Sequence, residues 1–534
     1  MLPRAALELR SALAMTRAGV FGLQSPAELR RIVRTVSTLG PLGGALGLAA
    51  VRHGDRIGLV DEVGALTFRE LDARSDALAV AWRSLGLGEG SRIGILCRNH
   101  RWLLDSTFAA AKIGARMVFL NTDYAGPQLL AVCAREGVEA LVHDAEFAEA
   151  ASGLTPRFGR FTAWPEGDVP EIQALIDRHR GSAPRPPGRP GTVVMMTSGT
   201  TGTPRGAVRP TPMTLAAGMV YSKIPLRGDG GLLVAPPMHH GWGLFMAGLG
   251  IGVGAKLVLR RRYDAAGVLD DLVRHRCHGL LLVPVMLRRL LDLGEEIGGH
   301  DLSRLRIIAT GGAPLGAPLA ARAMQAFGPV LYNSYGSTEC AIATVATPAD
   351  LRKAPGCVGR PLFGTRVEVV DRHGAQAPPG TSGRIFIGSS LQVSAYTSGD
   401  QPPRVRGLIE TGDVGHFDGD GRLFVDGRND EMIVSGGENV YPQEVEDLLA
   451  AHPGIADAAV LGVPDEEFGQ TLRAFVVPRG GVALTEDQIR GHVRENLARF
   501  KVPRSVVFLD ELPRNLTGKL LKRHLAETGH VRGL

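Results

Sequence analysis

The chain has 534 residues, more than one hydrophobic core usually serves, so two or more domains are expected. A hydrophobic content of 44% and a charged content of 21% are ordinary for a soluble globular protein, and a net charge of +6 suits anionic small ligands but is too diffuse to argue for nucleic acid. The cysteines Cys97, Cys133, Cys277, Cys340 and Cys357 are odd in number and scattered without metal-type spacing, which speaks against a disulfide framework and for a reducing compartment.

In chain order, no secretory signal is expected, because Glu8 and Arg10 interrupt any early apolar core. Ser25-Pro26 makes a helix start with proline at the first helical position. Leu29, Ile32, Val33, Val36 and Leu39 then share one face, with Arg30, Arg31 and Arg34 elsewhere around it. Such a basic amphipathic helix, residues 25–40, can rest on an anionic membrane surface or pack on the body of the protein or on a second subunit. A helix is expected from Leu66-Thr67-Phe68 to about Leu85, a strand at 92–96, a helix from Trp102 to Ile113 and a strand at 114–121. Strands alternating with helices imply a parallel, helix-covered sheet. A Pro/Gly-rich connector, 181–191, leads to the apolar run 192–196, read as a buried strand.

The decapeptide Thr197-Ser198-Gly199-Thr200-Thr201-Gly202-Thr203-Pro204-Arg205-Gly206 packs three glycines and five hydroxyls together. Glycine lets backbone approach a ligand closely, and successive N–H groups and short hydroxyls can line a concavity for phosphate oxygens. No Gly-Lys-Ser/Thr closes the loop, so it is not a Walker A loop. A strand at 232–235 then delivers Pro237-Met238-His239-His240-Gly241-Trp242-Gly243, whose histidines lack a carboxylate or cysteine partner at metal-ligand spacing. The apolar stretch 230–255 is too interrupted by Pro236-Pro237 and glycines to span a membrane and is read as protein interior. Gly248, Gly250, Gly252 and Gly254 alternate; in a strand they would all face one way and leave a groove for an apolar tail, or allow close packing on a helix. Residues 307–314 read as a strand ending in a glycine turn. Towards the C-terminus, 442–450 reads as a helix, 456–463 and 471–477 as strands, and Thr485–Gln488 as a capping box with Leu484 and Ile489 as its staple.

The decapeptide resembles the phosphate loop of the acyl-adenylate-forming (AMP-binding) superfamily, which includes acyl-CoA synthetases, luciferases and peptide-synthetase adenylation domains. Arg205 stands where lysine is usual. Tyr335-Gly336-Ser337-Thr338-Glu339, Thr411-Gly412-Asp413, the junction from Gly427-Arg428 to Gly436-Gly437 and the C-terminal Leu512–Arg523 stretch follow in family order, so the resemblance covers about residues 50–525. It is similar enough to fatty-acyl-CoA synthetases to imply an α/β fold. The large domain would hold helix-covered parallel sheets and a distorted β-barrel, followed by a small, mobile α+β lid. The implied divisions are an extension at 1–49, an adenylation domain at 50–428 and the lid at 429–534.

The resemblance also implies roles. Thr197, Ser198, Gly199, Thr200, Thr201, Gly202 and Arg205 would hold ATP phosphates, and Gly312, Ala313 and Pro314 would line the purine. Tyr335, with Gly336, would stack on adenine, Thr338 would hold the α-phosphate and Glu339 would help hold Mg²⁺. Asp413 and Arg428 would take the ribose and phosphate, Asp430 would be the hinge, Gly436 and Gly437 would pass the pantetheine arm, and Lys519 would catalyse adenylation. His240 matches the aromatic gate, with His239 next to it, and Trp242 and Gly248 would line the acyl pocket. Cys357 is read as packing. The match thins at 384–400, which implies local remodelling, and no site residue is carried from it.

The implied activity is ATP-dependent conversion of a carboxylic acid to acyl-AMP and then to acyl-CoA, with Mg²⁺, in the cytoplasm or peripherally at the inner membrane surface. A medium- or long-chain fatty acid is expected. An aromatic acid, loading of a carrier-protein thiol and a silent acyl- or nucleotide-binding protein are the alternatives, and a homodimer is compatible with all of them.

Overall fold

Two sheets, both mostly parallel, form the body. In one, strands run in the order Arg360–Pro361, Ala341–Ala346, Leu331–Ser337, Ile307–Thr310, Cys277–Leu282, Gly231–Val234, Lys256–Leu259, Ile57–Asp61 and Gly64–Thr67. The central pairings, from Leu331–Ser337 across to Ile57–Asp61, are parallel, and the two ends are antiparallel. In the other the order is Ala395–Tyr396, Gly206–Val208, Thr192–Met196, Arg116–Phe119, Arg92–Leu96, Ala140–His143 and Arg160–Thr162. Covered on both faces, the inner parallel strands are apolar almost throughout: Ile93, Ile95, Leu232, Leu233, Val234, Ile307 and Ile308 are fully buried. The structure, a computed structural model, describes residues 4–21, 26–167, 169–196, 205–208, 213–389, 391–393, 395–435, 438–465, 469–515 and 518–528.

The sequence rules act visibly at element ends. The helix Phe68–Ser84 starts where Thr67 and Glu70 form a capping box: the Glu70 N–H donates to the Thr67 hydroxyl (3.1 Å) and the Thr67 N–H to the Glu70 carboxylate (2.7 Å). Its apolar face, Phe68, Leu71, Leu78 and Trp82, is fully buried. A third sheet, antiparallel, runs Thr365–Val370, Gly383–Ser389, Leu408–Phe417 and Arg404–Val405, with Leu423–Arg428 paired to Leu408–Phe417. A smaller C-terminal unit pairs Gly469–Pro478 antiparallel with Ile455–Asp465 and parallel with Ser505–Phe508. The helices Pro442–Ala451 and Glu486–Asn496 bury Val445, Leu449, Ile489 and Val493 on that sheet, and the Thr485–Gln488 capping box is present as expected.

Two readings change. The alternating glycines do not form a strand: residues 241–252 are a helix, which Gly254 ends at φ 78°. Spacings of seven and four put Gly241, Gly248 and Gly252 on one face, while Gly250 turns to the sheet, where a Cβ would lie 2.6 Å from Leu232. The segment 384–400 keeps regular pairing where it is described: Ala395–Tyr396 adds to Gly206–Val208, and Gly383–Ser389 sits inside the antiparallel sheet.

The N-terminal segment packs on the body. Helix Arg4–Arg17 lies on helix Met213–Tyr221, so closely that a Cβ at Gly218 would meet Ser11. The helix Pro26–His53 kinks at Gly40 (φ 72°) before Pro41 and buries Leu42, Leu46, Leu48 and Ala49. Ser25 and the side chains of Leu29, Ile32 and Val33 lie outside the described residues. Among the described residues no helix is long and apolar enough to cross a membrane. The five cysteines are buried and form no disulfide, and Cys357 is completely buried, as a packing residue would be.

Candidate active site

Ligands in open α/β sheets bind beyond the carboxyl ends of the strands. Here the loops leaving Gly231–Val234, Ile307–Thr310 and Leu331–Ser337 at those ends border one cavity of about 2540 Å³. The small C-terminal unit closes over it.

One side is polar. The Tyr335 phenol donates to Asp413 Oδ2 (2.5 Å), and Arg428 Nη1 donates to Asp413 Oδ1 (3.2 Å) and to the Thr411 carbonyl (3.1 Å). Asp413 and Arg428 are register partners on adjacent strands, which fixes their approach. Arg428 Nε also donates to Asp430 Oδ1 (3.0 Å). Burial raises the Asp413 carboxyl, and its two donors offset this only in part. Burial, reinforced by Asp413, pushes the Tyr335 phenol well up. At Asp430 burial is outweighed by Arg428, with Lys519 adding to it, and the carboxyl lies below its ordinary value. Asp413 thus accepts from two donors, a role a ribose hydroxyl pair can take over. Gly312 (φ 84°), Ala313 and Pro314 line the same side, with open space where a Gly312 side chain would stand.

Thr338 and Glu339 border the cavity beside Tyr335. Glu339 Oε1 accepts from the Tyr396 hydroxyl at 3.1 Å, and the Arg205 guanidinium lies over the Tyr396 ring, 5.7 Å from its centroid. Burial, with Glu339 beside it, pushes the Tyr396 phenol up to about 12, so it stays a donor. Tyr396 is a site residue the sequence reading missed; its signal was the Ala395-Tyr396 pair set aside with the segment around it. A carboxylate open to the cavity, beside a threonine hydroxyl, is a hard-oxygen set that suits Mg²⁺.

Lys519 is exposed and lines this cavity. Its loop is fixed from several directions. Gly518 takes φ 78°, and a Cβ there would come within 2.5 Å of Val285 Cγ1, so only glycine lets the loop lie on the large domain. Arg514 Nη1 holds the Gly518 carbonyl (2.9 Å), and the Lys519 N–H donates to Asn515 Oδ1 (2.8 Å). Asp457 accepts from Arg514 (3.0 Å) and from Arg288 of the large domain (2.5 Å), clasping loop and domains together. This clasp was also missed, because its members are far apart in sequence. Lys522 pairs with Glu431 at 2.7 Å.

The other side is apolar. The Trp242 indole N–H donates to the Leu282 carbonyl (3.1 Å), which fixes the ring. His239 is buried with no hydrogen-bond partner for either ring nitrogen among the described residues, and its ring centroid lies 4.4 Å from that of His240. Burial lowers His239 well below the usual imidazole range and His240 to about 4. Both are neutral near pH 7, so they offer hydrogen bonding and shape rather than positive charge. Gly248 lines the cavity as expected, but from a helix face with Phe245, Leu249 and Gly252.

The structure therefore brings Lys519, Thr338, Glu339, His240, Arg205, Gly312, Ala313, Pro314, Tyr335, Gly336, Asp413, Arg428, His239, Trp242 and Gly248 to one cavity, with Asp430 bonded to Arg428 at its margin. Thr197, Ser198, Gly199, Thr200, Thr201 and Gly202, and the expected CoA-passage residues Gly436 and Gly437, lie outside the described residues.

Comparison with known proteins agrees with this arrangement. The AMP-binding enzyme model matches residues 48–397 and the AMP-binding enzyme C-terminal domain residues 444–519. An indoleacetate–CoA ligase of Aromatoleum aromaticum is 35% identical over 474 residues, covering 86% of this chain and 92% of the relative. A feruloyl-CoA synthase of an Amycolatopsis species is 34% identical over 492 residues, covering 89% and 94%. The o-succinylbenzoate CoA synthetase of Bacillus subtilis, solved with its acyl-adenylate, superposes with a TM-score of 0.78 at 27% identity over 90% of this chain and 97% of that one. With a family model spanning well over half its length and the matching constellation in one cavity, the chain belongs to the AMP-binding enzyme family.

Proposed function

We propose that the protein is an AMP-forming acid–thiol ligase that converts a monocarboxylic acid with an apolar body to its CoA thioester, using ATP, Mg²⁺ and CoA. The observation that carries this is the single cavity whose polar end holds Tyr335, Glu339, Asp413, Arg428 and Lys519 and whose other end is apolar. In the first half-reaction a carboxylate oxygen bonds to the α-phosphorus of ATP as the bond to pyrophosphate breaks. Both reactants are anionic, so positive charge at the reacting centre is the main requirement. Lys519 and Arg205 supply it from the protein, and Glu339 and Thr338 would hold Mg²⁺, which screens the phosphate charge when bound. Asp413 and Arg428 orient the ribose. In the second half-reaction the CoA sulfur attacks the acyl carbonyl and AMP leaves. Movement of the small domain about Asp430, which withdraws Lys519, is the step that admits CoA.

For the acid, the relatives favour an aryl or arylalkyl acid: two of them are an indoleacetate–CoA ligase and a feruloyl-CoA synthase. The cavity supports a second reading, a fatty acid, because its apolar arm follows several turns of the helix Gly241–Gly252, past Phe245, Gly248, Leu249 and Gly252. No charged side chain is described on that stretch of the helix, which speaks against a second carboxylate on the substrate. Measuring kcat/KM for benzoate, phenylacetate, indoleacetate and straight-chain acids separates the two. A peak at an arylalkyl acid supports the first reading and a peak at a long straight chain the second. Turnover confined to dicarboxylates would refute both.

A further inference from the structure

The N-terminal segment lies outside the family model, which begins at residue 48, yet it is built into the cavity. The apolar arm starts at Trp242 and follows the helix Gly241–Gly252. Gly248 stands six residues past Trp242, about 9 Å along the axis at 1.5 Å per residue. There the opposing wall comes from the N-terminal segment: a Cβ on Gly248 would lie 3.0 Å from Leu42 Cδ2, and Val20, Phe21, Val36, Ala45 and Leu48 line the cavity alongside Leu42. The wall is locked in place. Gly40 turns the long helix back at φ 72°, and its two arms interlock so tightly that a Cβ on Gly44 would lie 2.8 Å from Val36 Cα. Small residues on the helix side let the wall come close: Gly248 receives Leu42, and a Cβ on Gly252 would lie 3.2 Å from the Tyr221 hydroxyl.

We infer that the N-terminal segment, through its described residues 4–21 and 26–53, closes the far end of the acyl arm and sets how long an acid the enzyme accepts. This rests on the ligase reading for its substrate, but the wall has a test of its own. The five native cysteines are buried, so the thiol of Val36→Cys is the reactive one for a small methanethiosulfonate reagent. Phenyloctanoate and phenyloctanol should each slow its modification at least fivefold, and phenylacetate should not. For turnover, Leu42→Trp enlarges the wall side chain that already meets Gly248. It should lower kcat/KM for phenyloctanoate relative to phenylacetate by about fourfold for each methylene excluded, and at least tenfold in all. Equal reactivity of the Val36→Cys thiol with and without the long probes, or an unchanged length profile in Leu42→Trp, overturns the inference. If no acid is turned over by the parent, the ligase reading falls, while protection by phenyloctanol still decides whether residues 4–21 and 26–53 wall the arm.

Discussion

Asp457→Asn should slow adenylation far more than thioester formation. Asp457 accepts from Arg514 through Nη2 (3.0 Å) and Nε (3.2 Å) and from Arg288 through Nη1 (2.5 Å). Arg288 belongs to the large domain, while Arg514 also grips the Gly518 carbonyl next to Lys519. The three side chains are 16–23% exposed, between the surface pairs worth under about 1 kcal/mol and the buried pairs whose breakage costs about 3–5 kcal/mol. Asparagine keeps the shape and one acceptor but removes the charge both arginines face. A cost of about 2 kcal/mol to the docked arrangement follows, or about thirtyfold in its docking equilibrium constant. Acid-dependent ATP–pyrophosphate exchange should fall by up to about that factor. Thioester formation from supplied acyl-adenylate and CoA, which does not need Lys519 in place, should fall less than threefold, with the melting temperature nearly unchanged. Equal loss in both half-reactions, or full exchange activity, would refute the clasp.

Other outcomes follow from the same geometry. Lys519→Ala should abolish adenylate formation and spare thioester formation from supplied adenylate, measured by the same two assays. Gly518→Ala, forced out of φ 78° and against Val285, should mimic it in part, with exchange reduced at least tenfold. Tyr396→Phe removes the donor to Glu339 and should raise the Mg²⁺ concentration for half-maximal exchange about fivefold, the equivalent of about 1 kcal/mol. The buried imidazoles give a pH dependence: their folded values lie below the ordinary 6.5, that of His240 at about 4, so the unfolded chain takes up the proton first. Their contribution to stability is complete above pH 6.5 and is lost as pH falls from 6.5 towards 4. Denaturant titration should show a smaller loss over that window in His240→Gln.

The parts of the fold set by local pattern were legible in the sequence. The strand 92–96 and the C-terminal capping box need only a few neighbouring residues, and both stand where expected. The glycine-rich run 241–254 misled because spacing of two suggests a strand, whereas an all-apolar buried helix carries no polar face to reveal its 3.6-residue period. The described site residues read by resemblance gather in one cavity, all but Asp430 lining it, because the topology brings their strands, turns and the helix Gly241–Gly252 together. What sequence did not reveal is contact across distance: Arg288 with Asp457 and Arg514, Tyr396 with Glu339, and the N-terminal helices with the acyl arm. The same amphipathic helix was compatible with a membrane, a second subunit or the body of the protein. Among the described residues, Leu42, Leu46, Leu48 and Ala49, further along the helix Pro26–His53, are buried on the protein itself.

The most direct test measures AMP and thioester together, with Mg-ATP and each acid of the panel, in the presence and absence of CoA. An AMP-forming acid–CoA ligase gives acid-dependent AMP release that is slow or stoichiometric without CoA and becomes catalytic with it, one thioester forming per AMP. No AMP with any acid, or AMP release that CoA neither accelerates nor couples to a thioester, would contradict it.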